Sequence, residues 1–309
     1  MKKRTVGAVM LMTATLIWGT AFVAQSLGAG YLGPFTFNGI RFLIGAFVLL
    51  PFILVTNYHK NGRQTRENRA QSGDRLRVLG AGAACGVLIF AMAALQQIGI
   101  SYTTVGKAGF VSALYVVMVP ILGLVFGRRV GARTWVCIAL ATAGLYFLCM
   151  RERISLGFGD ALMLISAFVT AIHILVTDYY SSKVDCLQLS CLQLFVCGAL
   201  SLAAAFLFEK PTLPSILAAA APILYMGVLC CGAAFTLKTL GQKNVPPTAA
   251  SLILSLESVF SVLSGWIFLK ETLSLREAAG CALMFGATVL SQLPESGRRK
   301  KTQAAEIAD

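Results

Sequence analysis

Apolar residues in this chain are grouped in long runs that short polar or charged stretches separate. Many runs extend over roughly 18 to 25 residues, the length that an α-helix needs to cross a hydrocarbon core of about 30 Å. The pattern therefore predicts an all-α polytopic membrane protein. Charged residues, Gly and Pro bound ten predicted transmembrane helices: 5–28, 34–55, 77–99, 104–127, 131–150, 157–179, 186–208, 216–240, 246–269 and 274–292.

The amino-acid composition agrees with a location in the lipid bilayer. Hydrophobic residues make up 57% of the 309 residues, charged residues make up 13%, and the mean hydropathy is +0.76. Soluble domains carry about 25% charged residues, so a soluble globular fold is excluded. The first apolar run follows basic residues as in a signal peptide. Because it is longer than a usual signal-peptide core and nine further runs follow it, we expect a retained helix.

The distribution of basic residues predicts the orientation of the helices. The chain has 26 Lys and Arg against 13 Asp and Glu, a net charge of +13. In the ten-helix arrangement, 18 basic residues lie on the same side as both termini, 5 lie on the other side and 3 lie within or beside helices. Since cytoplasmic loops carry the excess of Lys and Arg, we expect both termini in the cytoplasm and the protein in the plasma (inner) membrane. A basic, then polar tail (293–309) would also be cytoplasmic, and no nucleic-acid partner is expected.

The two halves of the sequence resemble each other. A shift of 152 residues aligns the first two predicted helices with the sixth and seventh, and a shift of 142 aligns the next three without a gap. The second shift superimposes Ala91, Leu95, Gly99, Ala108, Gly123, Phe126 and Gly144 on Ala233, Leu237, Gly241, Ala250, Gly265, Phe268 and Gly286. The halves, 5–150 and 157–292, each hold five predicted helices. Because five is odd, the second half enters the membrane the other way up, which gives a 5+5 inverted repeat of the kind that many secondary transporters contain.

Glu257 is the strongest candidate for a functional residue. It lies near the middle of the predicted helix 246–269, among mostly apolar neighbours. An unpaired carboxylate at that depth costs several kcal/mol, so it is expected to be paired, hydrated or protonated. It could bind an ammonium group or a proton in a cavity, or it could form a structural hydrogen bond to a neighbouring helix.

Two more ionisable residues lie inside predicted helices. His173 could relay protons because an imidazole changes charge near neutral pH, or it could form a hydrogen bond at a helix interface. Arg41 could bind a substrate carboxylate with its planar guanidinium, or it could snorkel to the surface or fix a helix end. The 152-residue shift places Arg41 on Gln193, so both halves are polar at this position.

Further polar residues cluster towards the predicted outer side. Gln96 and Gln97 end the third predicted helix and Lys107 opens the fourth, so the three could form a polar vestibule. Lys238, near the predicted cytoplasmic end of the eighth helix, is interpreted as a snorkelling residue.

Three other residues of the predicted helices have separate interpretations. Tyr115 occupies the repeat position of Glu257 and places a hydroxyl at the related depth. Trp18 fits either a cavity wall or helix packing. Pro120 removes a backbone donor and predicts a kink in the fourth helix.

Several short motifs, in order, resemble those of the EamA family of the drug/metabolite transporter superfamily. They are Trp18-Gly19, Pro34 with Arg41, 94–99 (ALQQIG), Leu114-Tyr115 through Pro120, Gly159-Asp160, 256–260 (LESVF) and 269–273 (LKETL). The resemblance covers about residues 5–292 and implies a transporter of small metabolites, many members being exporters of amino acids or related compounds. Ser258 stands where the family usually has Pro, Arg129 where it often has Glu, and Lys238 where Gln is common.

Other functions fit the sequence less well. The chain contains no HExxH, GxSxG or Walker-type motif, so neither an intramembrane enzyme nor an ATP-driven pump is expected. Its nine cysteines lack metal-site spacing, and no cofactor or metal is expected. The prediction is a secondary transporter, an exporter of a small polar metabolite; the alternatives are a polar-lined channel or a membrane scaffold. Proton coupling and a homodimer are left open.

The predicted orientation can be tested in the segment Asn57 to Gly73, which contains much of the predicted cytoplasmic charge. Cysteines introduced there, in a background without native cysteines, should react only with reagents that enter the cytoplasm. Reaction with an impermeant reagent added outside intact cells would reverse the orientation.

Overall fold

A computed structural model of the chain describes residues 2–61, 72–103, 105–127, 130–149, 157–268 and 274–293. Within these ranges the regular secondary structure is helical, and they contain no β-strand. The prediction of an all-α protein is confirmed. The predicted tail from residue 294 onward, and residues 62–71 of the predicted cytoplasmic segment, lie outside the described residues.

The described part of the first half forms six helices, α1 to α6: Lys2–Ala29, Pro34–Asn61, Ser72–Gly99, Val105–Ala113, Tyr115–Val125 and Ala132–Cys149. The predicted helix 104–127 is thus divided into α4 and α5 at Leu114. The N–H of Leu114 donates to the carbonyl of Val111 over 3.2 Å, a three-residue bond that tightens the last turn of α4. The interruption therefore lies before Pro120, which is inside α5.

The described part of the second half forms eight α-helices, α7 to α14: Phe158–Ser181, Cys186–Phe208, Leu213–Ala218, Ala220–Tyr225, Phe235–Gln242, Pro247–Leu254, Glu257–Phe268 and Leu275–Gln292. A π-helical segment, Met226–Ala234, joins α10 to α11. Pro247 is the first residue of α12, where its missing N–H and fixed φ are favourable. A second interruption, at Ser255 and Leu256, separates α12 from α13.

Six described helical segments are long and apolar enough to cross a membrane: Pro34–Thr56, Leu76–Gly99, Phe158–Ser181, Cys186–Phe208, Ala220–Gln242 and Pro247–Ser264. Gly109–Val125 and Ala132–Leu148 are shorter apolar helices. The chain is therefore a polytopic helical membrane protein.

Contacts between helix termini define two ends of the bundle. At the N-terminal end, where α1 begins, the Arg4 guanidinium donates to the carbonyl of Ser291 near the end of α14 over 3.3 Å. At the far end, Glu209 follows α8 and accepts hydrogen bonds of 2.8 Å from the backbone N–H groups of Phe35 and Thr36. A carboxylate here stabilises the N-terminus of α2, because the first N–H groups of a helix have no partner within it.

Glycines bring several helix pairs into close contact. A Cβ on Gly241 of α11 would lie 2.8 Å from the carbonyl oxygen of Gly7 in α1, which places the end of α11 at the N-terminal end. A Cβ on Gly280 of α14 would lie 2.7 Å from the carbonyl oxygen of Gly144 in α6. Such contacts are typical of membrane helices, since small residues let the backbones approach each other.

The contact between α6 and α14 generates a stability prediction. Gly280→Ala should force these helices apart and lower the free energy of unfolding by about 1–3 kcal/mol, the usual cost of overpacking. Gly286→Ala on the same helix is the matched control, because no atom lies within 4 Å of the added Cβ. The check is thermal unfolding in detergent. Equal melting temperatures for the two variants would contradict the prediction.

Candidate functional site

A cavity of about 110 Å³ lies inside the helix bundle, and several predicted site residues line it. Those that reach the cavity are Trp18, Arg41, Gln96, Tyr115 and Glu257. Helices α1, α2, α3, α5 and α13 supply them, so residues far apart in the sequence meet at one site.

Tyr115 and Glu257 meet where the two interrupted helices resume. Tyr115 is the first residue of α5 and Glu257 the first residue of α13. The Tyr115 hydroxyl donates to Oε1 of Glu257 over 3.5 Å, a long hydrogen bond. The carboxylate thus keeps most of its capacity to accept hydrogen bonds and faces the cavity.

Arg41 is buried, with 4% of its surface exposed, and its guanidinium lies over two aromatic rings. Its Cζ is 5.3 Å from the ring centre of Phe37 and 4.9 Å from that of Phe42. The Nε atom is buried without a hydrogen-bond partner. The snorkelling interpretation of Arg41 is therefore wrong, because the buried side chain lines the cavity inside the bundle.

Lys238 also lines the cavity and is 2% exposed, so the interpretation of Lys238 as a snorkelling residue is wrong too. Its Nζ lies 2.8 Å from Nδ1 of His173. A charged lysine can only donate, so Nδ1 of His173 must be the acceptor. This pair holds the lysine inside the bundle.

His173 and Gln193 form a polar network behind Lys238. Nε2 of His173 lies 3.2 Å from Oε1 of Gln193 and 3.2 Å from the hydroxyl of Thr177. Gln193 also donates to the hydroxyl of Thr239 over 3.4 Å. With Nδ1 as acceptor, Nε2 carries the proton and can donate to Gln193. Both predicted site residues are fully buried and position Lys238 rather than line the cavity.

The predicted vestibule residues are in different surroundings. Gln96 lines the cavity, whereas Gln97 is buried beside it and its Oε1 accepts a hydrogen bond of 2.8 Å from Nε2 of Gln25. Lys107 belongs to α4, but its side chain falls outside the part of the chain that the structure describes.

Trp18 forms part of the cavity wall and also packs between helices. Its indole N–H donates to the carbonyl of Cys230 over 3.2 Å, within the π-helical segment. Its ring contacts Phe235 edge to face, with ring centres 5.0 Å apart. Both interpretations of this residue therefore apply.

Sequence reasoning missed several cavity residues, notably Lys238 and Gln25. A signal for Lys238 was present, because the 142-residue shift superimposes it on Gln96, which was a candidate. The small polar residues Ser112, Ser166 and Thr170 also line the cavity. Nothing in their local sequence distinguishes them from hydroxyl groups that bond to their own helix.

Comparison with known families gives one clear match. A sequence model described as the EamA-like transporter family matches residues 5–150 and again residues 157–293. The two matches together include nearly all of the described helices.

Individual relatives agree with this match. An "Uncharacterized transporter" of Archaeoglobus fulgidus is 28% identical over 296 residues, which cover 94% of this chain and 87% of that protein. The "Uncharacterized inner membrane transporter YedA" of Escherichia coli K12 is 26% identical and covers 92% of this chain and 89% of its own length. A solved crystal structure with 19% sequence identity matches 93% of this chain and 96% of its own, with a TM-score of 0.73, and shares the fold.

The buried amide pair beside the cavity generates a prediction on stability. Gln25→Met removes the donor to Gln97 and should cost about 1–3 kcal/mol, because the Gln97 oxygen stays buried without a partner. The double variant Gln25→Met/Gln97→Met removes both polar groups and should regain part of that loss. A double-mutant cycle on thermal unfolding measures the coupling. Strictly additive losses would show that the two amides do not interact.

Proposed function

Because the chain belongs to the EamA-like transporter family, we propose that it is a secondary carrier that exports a small polar metabolite, such as an amino acid or a related compound. The carrier works by alternating access between two inverted repeats. Both termini lie in the cytoplasm, as the charge distribution predicts.

The helix interruptions support the inverted repeat. Helix α5 begins at Tyr115 and α13 begins at Glu257, so the helices resume 142 residues apart, the shift that aligns the two halves. At both interruptions three-residue hydrogen bonds replace the regular α-helical ones: Leu114 N–H donates to the carbonyl of Val111, and Leu256 N–H donates to that of Ile253. Each half therefore has an interrupted helix, and both of these helices resume at the cavity.

Two glycine contacts support the same arrangement. Gly7 contacts Gly241 at the N-terminal end of the bundle, and Gly99 contacts Gly159 in the same manner, with a Cβ on Gly159 only 2.8 Å from the carbonyl oxygen of Gly99. The shifts of 152 and 142 relate Gly7 to Gly159 and Gly99 to Gly241. The counterparts of Gly7 and Gly241 in the other half are Gly159 and Gly99, and these two glycines also contact each other. An inverted repeat predicts such a pair of related contacts.

The observation that carries the proposal is opposite charge in one buried cavity. Arg41 and Glu257 both line it, and among the described residues neither forms an ion pair. The Arg41 guanidinium matches a carboxylate, to which it can donate two parallel hydrogen bonds. Glu257 matches an ammonium group. A zwitterion satisfies both side chains, and buried charges are stable only with such partners.

Glu257 also provides a route to proton coupling. A proton and a substrate ammonium group neutralise the same carboxylate, so they compete for it. If the site opens alternately to the two sides, a proton bound outside and released inside would drive the substrate out. The charged and titratable groups that share the cavity with Glu257 are Tyr115, Lys238, Arg41, Cys230 and Cys231.

Substitution of Glu257 tests the proposed mechanism. Glu257→Gln keeps the shape but cannot take up a proton, so concentrative transport and the pH dependence of substrate binding should be lost. Substrate affinity should also fall about ten- to hundredfold, the effect of one charged hydrogen bond. Glu257→Leu should in addition destabilise the bundle. The measurement is pH-dependent uptake into proteoliposomes with monodisperse wild type and both variants.

Two outcomes of that experiment would contradict the proposal. Near-normal, pH-dependent concentrative transport by Glu257→Gln would make the carboxylate a structural acceptor only. Wild-type flux without saturation or counterflow would indicate a channel, and absence of any flux would indicate a scaffold.

A further inference from the structure

Two cations and only one carboxylate line the described cavity. Arg41, Lys238 and Glu257 give this wall a formal charge of +1. Within the described ranges, neither Arg41 nor Lys238 forms a close ion pair with a carboxylate, and Glu257 acts on Lys238 only at longer range. A zwitterion bound by Arg41 and Glu257 therefore leaves the charge of Lys238 uncompensated, which is unfavourable for a buried ammonium group.

Both cations have hydrogen-bond donors to spare. The Lys238 ammonium group has three N–H donors, and His173 accepts one of them. The Arg41 guanidinium has five, and its contacts in the described structure are with the faces of Phe37 and Phe42 rather than with acceptors. The donors that remain on these two side chains are available to an anion in the cavity.

The two cations approach the cavity from opposite ends of the bundle. Arg41 lies two turns inside α2, which begins at the far end, and Lys238 lies one turn before the end of α11, at the N-terminal end. Glu257 is ten residues from the start of α12, so it lies roughly 15 Å into the bundle at 1.5 Å per residue, at a level between the cations.

An apolar wall connects the two cations. The Phe42 ring is beside Arg41, and the Phe235 ring has its centre 5.8 Å from Nζ of Lys238. The two rings contact each other edge to face, with centres 5.9 Å apart. A ligand that touches both cations would therefore lay an apolar section against this aromatic pair.

From this arrangement we propose that the substrate is an amino acid with a second carboxylate, and that Lys238 binds that carboxylate. Arg41 binds the other carboxylate, Glu257 binds the ammonium group, and methylene groups pack against Phe42 and Phe235. A ligand of net charge −1 neutralises the wall completely. This inference rests on the proposed function, since it treats the cavity as the transport site.

Counterflow in proteoliposomes tests the proposal. Labelled L-aspartate, L-glutamate and L-2-aminoadipate are compared with L-asparagine and L-glutamine, which have the same shape as the first two but lack the second charge. The wild type should prefer at least one acid over the amides by about ten- to hundredfold in half-saturation concentration, the effect of a charge-assisted hydrogen bond. This comparison needs no variant, so it remains decisive if a variant fails to fold.

Lys238→Gln then assigns the preference to one side chain. Glutamine is already present at the equivalent position, Gln96, so the change is compatible with this cavity. The variant should lose the preference for the acid yet still exchange the amide, whereas a purely structural lysine would affect both substrates alike. Lys183→Gln is the matched control, because Lys183 lies over the ring of Tyr179 and outside the cavity. It should keep the wild-type preference.

The outcomes separate this inference from the proposed function. Exchange of amides without exchange of acids, or an unchanged preference in Lys238→Gln, would overturn the role of Lys238 and leave the carrier proposal standing. Exchange of none of the five amino acids would overturn the inference, and absence of saturable flux for any solute would overturn the carrier proposal as well.

Discussion

The cost of removing a charge from water is the constraint on which this structure depends. In a bilayer, a charged side chain or an unpaired backbone group must find its partner inside the protein. This chain meets that demand by turning Arg41, Lys238 and Glu257 towards one shared cavity. The surrounding helices can then remain apolar towards lipid, with bulky side chains such as Phe206 and Leu207 exposed on the outside.

The scaffold around the cavity combines tight packing with local departures from α-helical geometry. Glycine contacts such as Gly144 with Gly280 hold helix pairs together without using polar groups. The departures lie at the cavity instead: α5 and α13 both begin there, and the π-helical segment contributes Cys230 and Cys231 to its wall. Backbone groups that lose their regular partners are thereby kept away from lipid.

The sequence was sufficient for the class of fold because long apolar runs have few structural solutions in lipid. The sequence also identified Glu257 and Arg41 as candidate site residues, because isolated charges within apolar runs are easy to recognise. It was not sufficient for Lys238. Lys238 lies one turn before the end of its helix, so the sequence suggests that its ammonium group extends to the membrane surface. Only the tertiary structure reveals His173 as its partner.

The interruptions and the π-helical segment were also beyond the sequence pattern. Pro120 was the visible signal for a break, yet the chain departs from the helix at Leu114, where no local residue type demands it. A π-helix has more residues per turn than an α-helix. The residues that share one helix face before Met226 therefore cannot be extrapolated to Phe235 with the α-helical period. Tertiary contacts decide these features.

The contact between Tyr115 and Glu257 has a consequence for the origin of such a chain. In the proposed inverted repeat, a residue that touches its own counterpart lies beside the symmetry axis, so a dimer of two identical halves would bring two copies of one side chain together there. Two glutamates would repel each other, and two tyrosines would carry no charge. Joining the halves in one polypeptide lets this position hold a donor on one side and an acceptor on the other, a combination that exact symmetry forbids.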